Sequence, residues 1–143
     1  MIEFLLTIGN LKRTKRQGWI NNSIKEAESI ADHMHRMGII SMAITDTSIN
    51  KDKLVKMALV HDLAEAIIGD ITPDDKVSKE EKFELEYSGI KTFIEQLKGS
   101  SFSKDIESLW LEYEQGSTPE AILCKDIDKY EMIMQAFEYE KAG

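Results

Sequence analysis

Apolar residues recur along this chain at intervals of three and four, the spacing that gathers side chains on one face of an α-helix. Ile2, Phe4, Leu5, Ile8 and Leu11 predict a first short helix from Met1 to about Lys12, running into the basic stretch Lys12-Arg13-Thr14-Lys15-Arg16. Gln17, Gly18 and Trp19 then begin a loop. Ile30, Met34, Met37, Ile40 and Ile44 fall on one stripe and predict a helix from about Glu26 to Ile44, with His33 beside the stripe. After a polar turn over Asp46 to Asn50, a third helix opens at Asn50 or Lys51. Its interior from Leu54 to Ile68 is apolar almost all round, which marks a central, buried helix.

Gly69-Asp70-Ile71-Thr72-Pro73-Asp74-Asp75 reads as a loop, because Gly suits the position after a helix and Pro73 disfavours helix at Thr72. Ser78 with Glu81 three residues later has the capping-box pattern and starts a helix through about Leu97, with Phe83, Tyr87, Ile90 and Ile94 on its inner face. Another runs from Ser103 to Glu114 and carries Ile106, Leu109, Trp110 and Tyr113. Thr118 before Pro119 is an N-cap followed by a favoured first-turn proline, opening a last helix toward Tyr139. No stretch alternates as a strand does. The expected fold class is all-α, a single compact bundle of about six helices over residues 1–143.

Composition narrows the partners more than the fold. Eighteen basic against 26 acidic residues leave a net charge of −8, which repels the backbone of a nucleic acid polymer. The single cysteine, Cys124, has no internal disulfide partner, and no amino-terminal apolar run is long enough for a signal peptide or membrane span. No membrane partner is therefore expected, and a reducing cytoplasm is the expected location.

Candidate chemistry centres on His61-Asp62, a histidine and a carboxylate in the middle of an otherwise greasy helix. Burying that carboxylate is costly unless something pairs with it, and a metal ion would satisfy both groups. The plainer alternative is a hydrogen-bonded core histidine beside a carboxylate that pairs locally. His33, on a second core helix, adds an imidazole, the commonest metal ligand. His35 is two residues away, points to a nearly opposite face and is peripheral. A fourth ligand would come from the last helix, where Asp126 and Asp128 compete and periodicity does not choose between them. Glu65 lies one turn beyond His61, set between Ala64 and Ala66, where a carboxylate suits a general base or acid better than a solvated surface position. Asp70 after Gly69 reads on its own as a turn or cap. Lys12, Arg13, Lys15 and Arg16 read as a solvated basic patch, though an arginine there would suit a phosphate.

Trp19, Glu28-Ser29-Ile30-Ala31-Asp32-His33, Leu59-Val60-His61-Asp62-Leu63-Ala64-Glu65, Gly69-Asp70 and Lys125-Asp126-Ile127-Asp128-Lys129-Tyr130-Glu131-Met132 together resemble the HD-domain phosphohydrolases. The similarity is to the branch of HD-domain-containing protein 2 and the bacterial 5′-deoxynucleotidases, and it spans about Lys12 to Glu140. It implies an HD-domain bundle in which His33, His61, Asp62 and Asp128 hold one divalent metal ion, cobalt, manganese or similar, with zinc or iron also compatible with such donors. It implies Glu65 and Asp70 as catalytic acid and base groups and Arg16 as the substrate-binding residue that forks phosphate oxygens; Trp19 reads equally as a substrate-binding residue stacking on a base or sugar and as an aromatic packed beside a core entrance. The implied reaction is hydrolysis of 5′-(deoxy)nucleoside monophosphates to nucleoside and phosphate, with a small-molecule nucleotide as partner and a possible homodimer. Members of that branch usually continue past the last helix, so a carboxy-terminal extension is expected to be absent from a chain ending at Gly143. Two other readings stand beside this one. Two-metal HD phosphodiesterases or oxygenases recruit further histidines, and none follows His61 here. A non-catalytic nucleotide-binding or scaffold module would keep the metal site for stability and turn nothing over.

Overall fold

Eight α-helical segments and no strand make up residues 1–72 and 75–142, which a computed structural model describes. Pro73, Asp74 and Gly143, named above for the loop and the chain end, lie outside the described residues. The segments are α1 (Ile2–Ile8), a 3₁₀ turn (Gly9–Lys12), α2 (Gln17–Asn21), α3 (Ile30–Met42), α4 (Lys51–Val60), α5 (Glu65–Ile68), α6 (Lys79–Gln96), α7 (Ser101–Gln115) and α8 (Pro119–Ala142). The all-α class is as expected; the number exceeds six because α2 and α5 are short pieces of five and four residues. No helix among the described residues is long and apolar enough to cross a membrane.

The chain forms two compact units, Met1–Asp32 with Asp62–Glu107, and His33–His61 with Ser108–Gly143. In the first, α5 packs on α6, and α1 packs on both. Phe4 lies at its centre, edge-on to Phe93 and Phe102 with ring centroids 5.3 and 5.6 Å away. Ala64 approaches α6 at Gly89, where an added Cβ would stand 3.1 Å from the Ala64 Cβ. Asn10 ties the 3₁₀ turn to α5 by donating to the Ala66 carbonyl at 3.2 Å.

In the second unit α4 packs on α8. Met37, Leu54, Met57, Ala58, Ala121, Cys124 and Ile127 form its core, with Ile40, Leu109 and Tyr113 packed around them. Each large apolar side chain so buried stabilises by about 1.5–3 kcal/mol. The caps read from the sequence are present: Asn50 accepts from the Lys53 N–H at 3.1 Å, and Thr118 from the Ala121 N–H at 3.1 Å. Ser78 does the same for Glu81 at the start of α6.

Three boundaries and the inner face of one helix show where the structure departs most from expectation. Gln17 begins a short helix rather than a loop, because its N–H is taken by a carboxylate from far along the chain, Asp70, at 2.9 Å. α3 starts at Ile30 and not near Glu26: Ser29 and Asp32 cap it reciprocally, and the residues before it bond to Thr14–Arg16 through an isolated antiparallel bridge. The helix expected without interruption to Ile68 breaks after Val60. From Asp62 to Ala64 the carbonyls accept from residues three ahead, so the backbone tightens before α5. On α6 the core-facing set is Glu86, Gly89, Ile90 and Phe93, while Phe83, Tyr87 and Ile94 are only half-buried.

Candidate functional site

The break after α4 leaves His61 as the helix C-cap, buried, rather than in mid-helix. In the second unit its Nδ1 donates to the Ala58 carbonyl at 2.8 Å, which makes Nε2 the lone-pair nitrogen, and its ring lies 4.8 Å from that of Tyr113. His33, on α3, has no exposed surface. The two imidazoles lie 6.1 Å apart between centroids, with a ring nitrogen of each within 4.8 Å of the other. His33 Nε2 stands 2.7 Å from Asp128 Oδ1 on α8.

That donor set fits a divalent cation. Ligand bonds of about 2.0–2.2 Å set adjacent donor atoms roughly 3 Å apart, close to the spacing of His33 Nε2 and Asp128 Oδ1. Both imidazoles have Nδ1 engaged by the protein, the usual way a ligating histidine is oriented. Asp62 follows His61 in the chain and is half-buried. Asp126, the rival for the last position, is exposed, whereas Asp128 is half-buried with Oδ1 beside His33 Nε2. His35 is exposed, as expected of a peripheral residue.

The first unit holds the carboxylates named for proton transfer. Glu65 is 8% exposed, and its Oε2 has no hydrogen-bond partner among the described residues. Burial pushes its pKa well above the usual carboxylate range; the charges of Asp62, Asp70 and Glu86 push the same way, and Arg16 opposes them. Asp70, after Gly69 at φ 78°, is raised as well, chiefly by burial, against the Gln17 N–H bond and the charge of Arg16. Asp70 thus caps α2, the turn that carries Trp19 and begins beside Arg16. Trp19 is half-buried and donates from Nε1 to Glu28 Oε2 at 2.8 Å.

Two groups escaped the reading of the sequence. Glu131 is fully buried, accepts from His33 Nδ1, and accepts from Arg36 Nε at 2.7 Å. Its signal was present, since Glu131 continues the buried stripe of Ala121, Cys124 and Ile127 on α8, where a carboxylate is out of keeping. Glu28, at 8% exposure, was legible only as part of a motif.

Residues 8–143 match the family model described as HD domain. Over 144 residues the chain is 51% identical to 5′-deoxynucleotidase hdd1 of Schizosaccharomyces pombe, covering 99% of this chain and 73% of that one. Over 140 residues it is 46% identical to 5′-deoxynucleotidase HDDC2 of Homo sapiens, covering 98% and 68%. A solved structure of a conserved hypothetical protein from Pyrococcus furiosus superposes with a TM-score of 0.83 at 33% identity, covering 100% of this chain and 84% of that one.

Proposed function

The chain belongs to the HD-domain family, and from that premise we propose that it is a metal-dependent phosphohydrolase converting 5′-deoxynucleoside monophosphates to nucleoside and phosphate. The observations that carry this reading are the approach of the buried His33 and His61 imidazoles and the half-buried Asp128 against His33 Nε2, in a chain whose relatives are named 5′-deoxynucleotidases. His33, His61, Asp62 and Asp128 would hold one divalent ion; cobalt or manganese fits, and zinc or iron suits two imidazoles and two carboxylates equally. When bound, the ion supplies a Lewis acid that draws charge from a phosphoryl oxygen.

The chain's own groups do the rest. Glu65, with one oxygen unengaged among the described residues, takes a proton from the attacking water; burial raises its pKa, which makes its carboxylate a stronger proton acceptor than a solvated one. Asp70 has Oδ2 fixed by the Gln17 N–H and uses its carboxyl to protonate the departing 5′-oxygen. Arg16 forks the phosphate oxygens, and Trp19, held by Glu28, offers a face to the base or sugar. We read both units as one HD domain in a cytoplasmic protein. A homodimer belongs to the same reading, and the exposed Ile122, Tyr130, Ile133 and Phe137 on one face of α8 give it an apolar contact.

Phosphate release tests the assignment, using 5′- and 3′-monophosphates of deoxyribo- and ribonucleosides with chelator-stripped protein and each metal added back. Turnover of 5′-deoxynucleotides that needs metal is expected. Binding without turnover under every metal would instead identify a scaffold module.

A further inference from the structure

Resting on that metal reading, we propose that Glu131 is the positioning residue for His33: from α8 it holds the imidazole with Nδ1 protonated and Nε2 turned to the cation, and Arg36 locks Glu131 in turn. The observations lie within the second unit. Oε1 of Glu131 accepts from His33 Nδ1, and Oε2 accepts from Arg36 Nε at 2.7 Å. Arg36 also donates to Gln135 Oε1 at 2.6 Å and to Glu138, so one guanidinium spans three successive turns of α8.

A carboxylate with no exposed surface is expensive unless its oxygens are matched by donors, and here both are. For stability alone, an apolar side chain continuing Ala121, Cys124 and Ile127 would fill this place with no charge to desolvate. What an apolar residue could not do is choose a tautomer. A neutral imidazole has one lone pair, and the partner of the protonated nitrogen decides which nitrogen carries it. His61 reaches the same state by a different partner, the Ala58 carbonyl. Both imidazoles therefore direct Nε2 outward from a fixed Nδ1, one through backbone and the other through Glu131.

Two measurements test this. Long-range proton–nitrogen correlation spectra of the zinc-loaded protein should show His33 protonated at Nδ1 and metal-shifted at Nε2. Cobalt(II) titration of the metal-free protein, followed by visible absorption, should show Glu131→Gln folded but binding about 10–100-fold more weakly, with an altered spectrum. Arg36→Met leaves the carboxylate on His33, so it should lower the melting temperature while weakening cobalt less than tenfold. Zinc on Nδ1, or Glu131→Gln with wild-type affinity and spectrum, overturns the proposal. A wild-type chain that takes up no cobalt removes the metal reading and the proposal with it. If Glu131→Gln does not fold, the zinc spectrum of the unaltered protein decides alone.

Discussion

Glu65 keeps a carboxyl group away from water and among other carboxylates, so its folded pKa is raised mainly by burial and secondarily by Asp62 and Asp70. A carboxyl that holds its proton more tightly folded than unfolded contributes stability below its unfolded value of about 4.3, and that contribution is lost as pH rises through the folded value. Glu65→Gln should therefore stabilise the metal-free protein at pH 8 by roughly 1 kcal/mol or more, with little effect at pH 4. The same variant should lose about 10²–10⁴ in kcat. Melting curves across pH and phosphate-release kinetics read the two effects separately; a destabilised Gln variant at pH 8 would contradict the assignment. Asp70 separates in another way. Asp70→Asn keeps an acceptor for the Gln17 N–H and should lower kcat about 10²-fold with KM little changed. Asp70→Ala releases the start of α2 as well and should also raise KM, which steady-state kinetics on the pair would reveal.

At the level of elements, helix ends were legible where a side chain makes the cap. Asn50, Ser78 and Thr118 bond the N–H groups their positions predicted. The interruption between α4 and α5 was not legible, since Leu54 to Ile68 contains neither Gly nor Pro and the tightening depends on bonds among neighbours. The face of α6 was misjudged for a related reason. Its aromatic stripe and its true inner stripe share Ile90, and the second includes Glu86, a charged residue that pattern reading assigns to solvent. Gly89 is the residue that lets Ala64 come close. Gly89→Ala gains up to about 1 kcal/mol of helix propensity but overpacks a 3.1 Å approach, which costs about 1–3 kcal/mol. Urea unfolding should show a net loss of around 1 kcal/mol, and a net gain would mean that α5 yields freely.

For the molecule as a whole, a net charge of −8 repels a nucleic acid backbone, and the proposed small anionic substrate would have to be met by a few local cations. Duplex or single-stranded DNA in excess should leave nucleotide turnover unchanged, and competitive inhibition would show a polymer site. Sedimentation should find a dimer that Phe137→Glu disperses. The site was legible in part. His33 and His61 stood out as imidazoles on core helices, while the choice of Asp128 over the exposed Asp126 came from resemblance, because α8 has apolar residues on two faces. Glu131 was missed because a carboxylate on a helix is ordinarily solvated. The central claim is that His33, His61, Asp62 and Asp128 hold one ion. Calorimetric titration of chelator-stripped protein with cobalt tests it most directly. One ion per chain for wild type and Asp126→Asn, with binding lost in Asp128→Asn, is the predicted result; undiminished uptake by Asp128→Asn, or two ions per chain, would contradict it.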